Sequence, residues 1–348
     1  MAEDSDVTRD EAAPAGGEAQ RRPAERELPD LWSWAFLAGW EDALDGLAAK
    51  ALPERWDFAS PEGAGNGSGN GSGGGRRNTI LANYLRYTFC RLEHEGKVRE
   101  DAEAGLASFD TGLVDQSYEP IYACFNRNRR PGAQPWFLAG FFRAGEDSMG
   151  DRIVRAFNPL PQRARYLTRL DQVLYDVDQT PHLDFDHILL DNVERLPRQL
   201  LERELGDSEQ AMALVHAAWG SASTIGHADA HASATEEALD SLRELLTDDR
   251  TRRLRLKNAL SNACDLAVER VKWSYRTAVP AYYPRFDAVN LLLPLELTED
   301  AQPDTALVVE HTASGAYIGQ TILTPQMAYM NARLICRPEV EWLNEALG

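Results

Sequence analysis

Cationic and aromatic side chains are most concentrated in RVKWSYRTAVPAYYPRF, residues 270 to 286. From Arg252 to Arg285 there are eight Lys or Arg against two acids, Asp265 and Glu269, in a chain whose 36 basic and 55 acidic residues give a net charge of -19. A local reversal of sign in an acidic chain fits an anion site. Cations neutralise phosphates while aromatic rings stack on bases, each stacked base contributing about 1–3 kcal/mol. Lys272, Arg276 and, further along, Arg333 are the expected phosphate contacts. Tyr275, Tyr282 and Tyr283 are the expected stacking faces, and Asn331 would read a base edge. Such binding should weaken steeply with salt. The competing reading pairs the arginines with surplus carboxylates and sends the aromatics into the core. Under that reading Arg333 holds its helix to Glu296 or Glu310.

A second group, Asp184, Asp186, His187, Asp191 and Asn192, crowds polar side chains among apolar ones. On a strand, Asp184 and Asp186 share a face. On a helix, His187 and Asp191 share one, the geometry in which a carboxylate orients an imidazole. Asp186 and His187 are therefore the candidate acid and base, with helix capping by Asp and Asn as the plainer alternative. His227, Asp229 and His231 alternate in what reads as a loop, which suits a metal only if another ligand arrives from elsewhere. No phosphate loop, zinc-ligand spacing or nucleophile elbow is present, so the sequence names no metal set and no cofactor. Cys90, Cys124, Cys264 and Cys336 are far apart and read as buried thiols in a reducing cytoplasm, and no apolar span long enough for a membrane occurs.

The elements that must position these groups follow from composition and period. Residues 1 to 28 are acidic, Pro- and Gly-rich and without apolar period, the signature of a disordered tail. From Leu31 the chain turns apolar, with Trp32, Trp34 and Trp40 docking an N-terminal lid of residues 29 to 58. GAGNGSGNGSGGG, within a flexible loop of residues 59 to 77, leads to Asn78, the expected cap of a helix stopped by Gly96. From 106 to 178, short aromatic and β-branched runs divided by Gly, Pro and Asn predict strands and hairpins, ARYLTRL and QVLYDV among them. Ser233 with Glu236 reads as a capping box, and a long helix follows over about 252 to 273. Residues 288–297, 305–311 and 316–323 predict a three-stranded meander with a turn at Ser314 and Gly315, and Thr324-Pro325 opens a final helix that Pro338 closes.

Six stretches, FDTGL (109–113), YEPIYACF (118–125), DHILLDNVERLP (186–197), KWSYRTAVPAYYP (272–284), LLLPLEL (291–297) and TILTPQMAYMNARLI (321–335), resemble in order the family named domain of unknown function 3825. The resemblance covers nearly all of residues 31 to 343. It implies relatives that stand beside RNA-binding modules of the cold-shock and LOTUS type, and so RNA as a partner. The family more often carries Asn where Asp110 stands, and an Asp-containing helix start where Pro325 and Gln326 stand.

Together these features predict an α+β protein. A β-rich subregion, 78–206, packs on a second, 207–348, of helices, a three-stranded antiparallel meander and a final helix. The first functional reading is a cytoplasmic protein that binds RNA or a phosphorylated small molecule and acts in RNA metabolism. The second is a metal-dependent or acid/base phosphoester-processing enzyme. A third is a non-catalytic scaffold that engages a protein partner through its N-terminal region.

Overall fold

The computed structural model describes residues 27–58, 77–219, 228–298 and 302–344. The predicted tail and glycine coil lie almost wholly outside them. In chain order the elements are α1 (Leu31–Trp34), β1 (Ala35–Phe36), α2 (Trp40–Lys50), α3 (Thr79–His94), β2 (Arg99–Asp101), β3 (Leu106–Val114), β4 (Pro120–Arg127), β5 (Trp136–Arg143) and α4 (Asp147–Ala156). They continue with β6 (His182–Leu183), α5 (Arg198–Leu205), α6 (Glu209–Trp219), α7 (Ala228–Asp248), α8 (Arg250–Trp273), β7 (Val279–Tyr283), β8 (Ala288–Leu295), β9 (Thr305–His311), β10 (Tyr317–Leu323), α9 (Pro325–Ile335) and α10 (Glu341–Asn344). The class is α+β.

Two five-stranded sheets organise the chain, with strand orders β1-β5-β4-β3-β2 and β6-β10-β9-β8-β7. Pairing is antiparallel except that β1 joins β5 and β6 joins β10 in parallel. Alternation decides what each sheet buries. On β3 and β4, Ala107, Phe109, Ile121, Ala123 and Phe125 face a central core, while Leu106, Tyr122 and Cys124 face α4. On β8 and β9, Leu292, Ala306 and Val308 enter that same central core, and Leu291, Leu293, Leu307 and Val309 join a second core with residues of α5 to α8. Residues of α3 and α9 fill the space between the sheets, so one apolar layer unites both halves.

Of the lid's tryptophans, Trp34 packs against the central core, whereas Trp32 stays 39% exposed. Trp34 lies 5.0 Å from Phe89, 4.8 Å from Phe125 and 6.1 Å from Trp136, and Trp32 meets Trp40 edge-on. Asn78 departs from its expected role: it takes a left-handed conformation, its amide donates to Asp45, and the carboxylate of Asp57 accepts from the Thr79 N–H instead. Asp249 caps α8 through the N–H groups of Thr251 and Arg252. Gly96 and Gly315 take positive φ at the helix stop and the meander turn.

Four further expectations need correction. ARYLTRL and QVLYDV form no strand; their aromatics are used one by one, Tyr166 against Tyr282 and Tyr175 stacked on Tyr317. The meander gains β7, because VPAYY pairs with β8 along its length. The helix assigned to the Ser233 capping box begins earlier, at Ala228. Cys90, Cys124 and Cys264 are buried free thiols, whereas Cys336 is exposed. Among the described residues no helix is long and apolar enough to cross a membrane.

Candidate functional site

The cationic and aromatic stretch does not form one surface. It runs from the end of α8, through a short turn at Tyr275–Thr277, into β7, and these elements send its side chains to different places. Trp273, the last residue of α8, is 93% exposed, and Tyr275, in the turn that follows, is 61% exposed. The Arg276 guanidinium lies 5.9 Å from the Tyr275 ring centroid. Trp273 and Arg276 line an open cavity of about 810 Å³ whose other walls include Leu266, Arg270, Pro294 and Trp342. Trp342 is anchored there by donating its indole N–H to the Thr277 carbonyl at 3.1 Å.

Charge on this surface is largely compensated. Lys272 reaches Glu269 at 2.7 Å, Arg270 pairs with Glu296, and Glu339 and Glu341 also line the cavity. At the other end of α8, Arg252 and Arg255 pair with Asp207, and Lys257 sits 3.8 Å from Asp186. Arg276 has no carboxylate within ion-pair distance among the described residues, and Glu339 of the same cavity strengthens its charge only from further off.

Four expected contacts are engaged by the protein itself, Tyr282 and Arg333 buried, Tyr283 and Asn331 half-buried. Tyr282, on the inward face of β7, is 2% exposed; its ring meets Tyr166 and the Arg91 guanidinium, and its hydroxyl donates to Asp287 at 2.9 Å. Burial first, and Asp287 next, push its phenol up, with Arg91 opposing. No face is left for a base. The Tyr283 hydroxyl is buried without a well-formed hydrogen bond, and the Asn331 amide beside it offers only a weak one. Asn331 therefore addresses a tyrosine.

Arg333 is 5% exposed and clamps Glu54 of the lid, Nε to Oε1 at 2.5 Å and Nη2 to Oε2 at 2.9 Å. Its guanidinium also lies over the rings of Tyr84 and Trp56. Burial opposes its charge, yet Tyr84, Glu54 and Tyr329 together hold it protonated. The bidentate geometry read from the sequence is present, with a carboxylate from the same chain in place of phosphate. Neither Glu296 nor Glu310 is its partner: Glu296 holds Arg270 and Glu310 accepts from Gln320.

The His187 group adopts neither a plain strand nor a plain α-helix. After β6 the chain makes a π-helical turn, His187–Asp191, which brings His187 Nδ1 within 2.8 Å of Asp191 Oδ2. The Asn192 amide lies 3.2 Å from His187 Nε2 and donates to the His187 carbonyl. Both ring nitrogens are engaged, so the imidazole has no lone pair ready for a substrate proton. Distance separates this group from the cationic stretch as well. Asp186 meets Lys257, and fifteen residues of α8 at ~1.5 Å rise put Lys272 about 22 Å further on. Acid, base and cationic wall do not converge.

Asp229 and His231 belong to the first turns of α7 and not to a loop, while His227 lies outside the described residues. Among the described residues no three His, Cys, Asp or Glu side chains gather to hold a metal ion. Sequence reasoning missed Glu54 as the partner of Arg333, Arg91 beneath Tyr282, and Trp342 as a cavity wall. Nothing in local spacing connects residues so far apart.

A family model, domain of unknown function DUF3825, matches residues 47–342, and the chain belongs to this family. The match spans every strand except β1, and every candidate group described above. No curated protein and no solved structure matches the chain.

Proposed function

We propose that this protein binds single-stranded RNA or a nucleotide on the surface formed by Trp273, Tyr275, Arg276 and Lys272. The observation that carries the reading is the exposure of Trp273, an indole left 93% in water beside a second exposed ring and an arginine without a carboxylate partner among the described residues. Keeping large rings in solvent forgoes the apolar stabilisation that burying them elsewhere would give. Together with a flanking guanidinium they make a platform for a base and its phosphate. The cavity next to them has room for a nucleotide.

Because Lys272 and Arg270 are already paired, stacking supplies most of the affinity on this account. The steep salt dependence expected from composition becomes a shallow one. With one or two phosphates neutralised, log K should fall against log salt with a slope of about -0.7 to -1.4.

Anisotropy titration of a labelled single-stranded RNA, with the same DNA sequence beside it, tests the reading. Saturable binding that drops in Trp273→Ala supports it. Binding that is absent at low salt, or unaffected by Trp273→Ala and Tyr275→Ala together, removes it.

A further inference from the structure

On the other side of β8 from β7, at the end of β9, lies a small pocket of about 190 Å³ that the motifs of the sequence did not mark. Its polar lining comes from Arg169, Asp171 and Gln172, in the short turn after the first sheet, and from Asn290 of β8 and His311 of β9. Asn290 is 8% exposed, and its carboxamide makes no hydrogen bond to any protein group among the described residues. The carboxamide is not sealed from solvent, so it stands free to meet a ligand in the pocket without giving up a protein contact.

The surrounding groups are already oriented. His311 Nδ1 lies 3.3 Å from Asp171 Oδ2, its ring packs 4.9 Å from the Tyr317 ring, and its Nε2 has no protein partner among the described residues. Arg169 donates Nε to Asp171 Oδ1 at 2.9 Å and holds that carboxylate below its ordinary range. Gln172 Oε1 accepts from the Thr168 and Arg169 N–H groups at 2.8 and 3.0 Å, which leaves its NH₂ as a donor. Around one small space stand two carboxamides and an imidazole nitrogen, and the Arg169 charge is cancelled by Asp171. With no net charge left on the lining, that inventory suits a neutral, planar ligand with adjacent donors and acceptors better than an anion.

We propose that this pocket receives the hydrogen-bonding edge of a single nucleobase, with the Asn290 carboxamide making the paired contact that carboxamides make to bases. The base reaches it either as a free nucleoside or within an RNA strand, since the recognised edge is the same. The pocket is separate from the Trp273 surface, and its ligand needs no contact there.

The test titrates adenosine, guanosine, cytidine and uridine, and the corresponding tetranucleotides, into the full chain by calorimetry, with Asn290→Leu and His311→Gln beside the wild type and thermal unfolding of each. The expected result is millimolar or tighter binding of at least one nucleoside. It should fall at least tenfold in Asn290→Leu, survive Trp273→Ala/Arg276→Ala, and accompany an unfolding midpoint for Asn290→Leu that is unchanged or raised. Binding of nucleoside and tetranucleotide, or of nucleoside alone, upholds the pocket and tells which form it takes. The proposal is overturned by absence of binding for all four nucleosides, by wild-type affinity in Asn290→Leu, or by a midpoint lowered in that variant, since the amide would then serve the fold.

Discussion

Arg333 and Glu54 meet edge to edge across 279 residues of sequence, their two hydrogen bonds buried under the rings of Tyr84 and Trp56. Tyr329 adds a third bond to the same carboxylate at 3.1 Å. The lid and α9 are thereby joined through the middle of the central core. Removing one partner strands the other charge, so Glu54→Gln or Arg333→Met alone should cost about 3–5 kcal/mol. The double variant Glu54→Leu/Arg333→Met should recover a large part of that loss. Urea unfolding midpoints of the three variants check this, and a double variant worse than both singles would contradict it.

The Tyr282 hydroxyl is a structural group, and its removal separates stability from binding. Tyr282→Phe loses the bond to Asp287 and is expected to cost about 1 kcal/mol or somewhat more, since the acceptor is ionised. RNA affinity of the folded variant should equal that of the wild type. A tenfold loss of binding at unchanged stability would return Tyr282 to the contact surface.

How far these roles could be read from the sequence follows from how local their causes are. Thr324 and Pro325 at a helix start, Gly315 in a turn, and the apolar runs of β8 and β9 act over a few residues, and each was legible. VPAYY is apolar as well, but its aromatic content pointed to a ligand wall and hid the strand it forms with β8. Asp186, His187 and Asp191 were legible as a group, while the π-helical turn that closes His187 against both Asp191 and Asn192 was not, because its i to i+5 spacing has no sequence signature. Glu54 sits in a polar stretch of the lid, and only the packing of α9 on α3 brings Arg333 to it. Asn290 looked like one polar residue in an apolar strand.

Asp110 lies beside the left-handed turn at Gly112, whose N–H it accepts at 2.7 Å. Burial raises its pKa, and the Gly112 N–H and the Arg163 and Lys97 charges offset this only in part. A carboxyl with a raised folded pKa binds its proton more tightly in the native state, so the group destabilises the fold once pH exceeds the unfolded value near 3.8 and does so fully above the folded value. Asp110→Asn keeps the acceptor oxygen and drops the charge. It should raise the unfolding midpoint at neutral pH, with a gain that shrinks to nothing below about pH 3.8. A lower midpoint at neutral pH would mean that the pairing with Arg163 and Lys97 outweighs burial.

Trp273 packs against almost nothing, so Trp273→Ala should leave the unfolding midpoint within about 0.5 kcal/mol of the wild type. The same change should weaken RNA binding by about 5- to 150-fold, the equivalent of one lost stacking contact. Thermal unfolding and anisotropy on the same preparation read both effects.

The central claim, that an exposed ring platform at the end of α8 binds single-stranded RNA or a nucleotide, is tested most directly by anisotropy of a labelled RNA with wild type and Trp273→Ala/Arg276→Ala across a salt series. The account predicts saturable wild-type binding with a shallow salt slope, and loss of at least tenfold in a double variant that unfolds as the wild type does. Equal affinity in both proteins, or no binding by either at low salt, would contradict it.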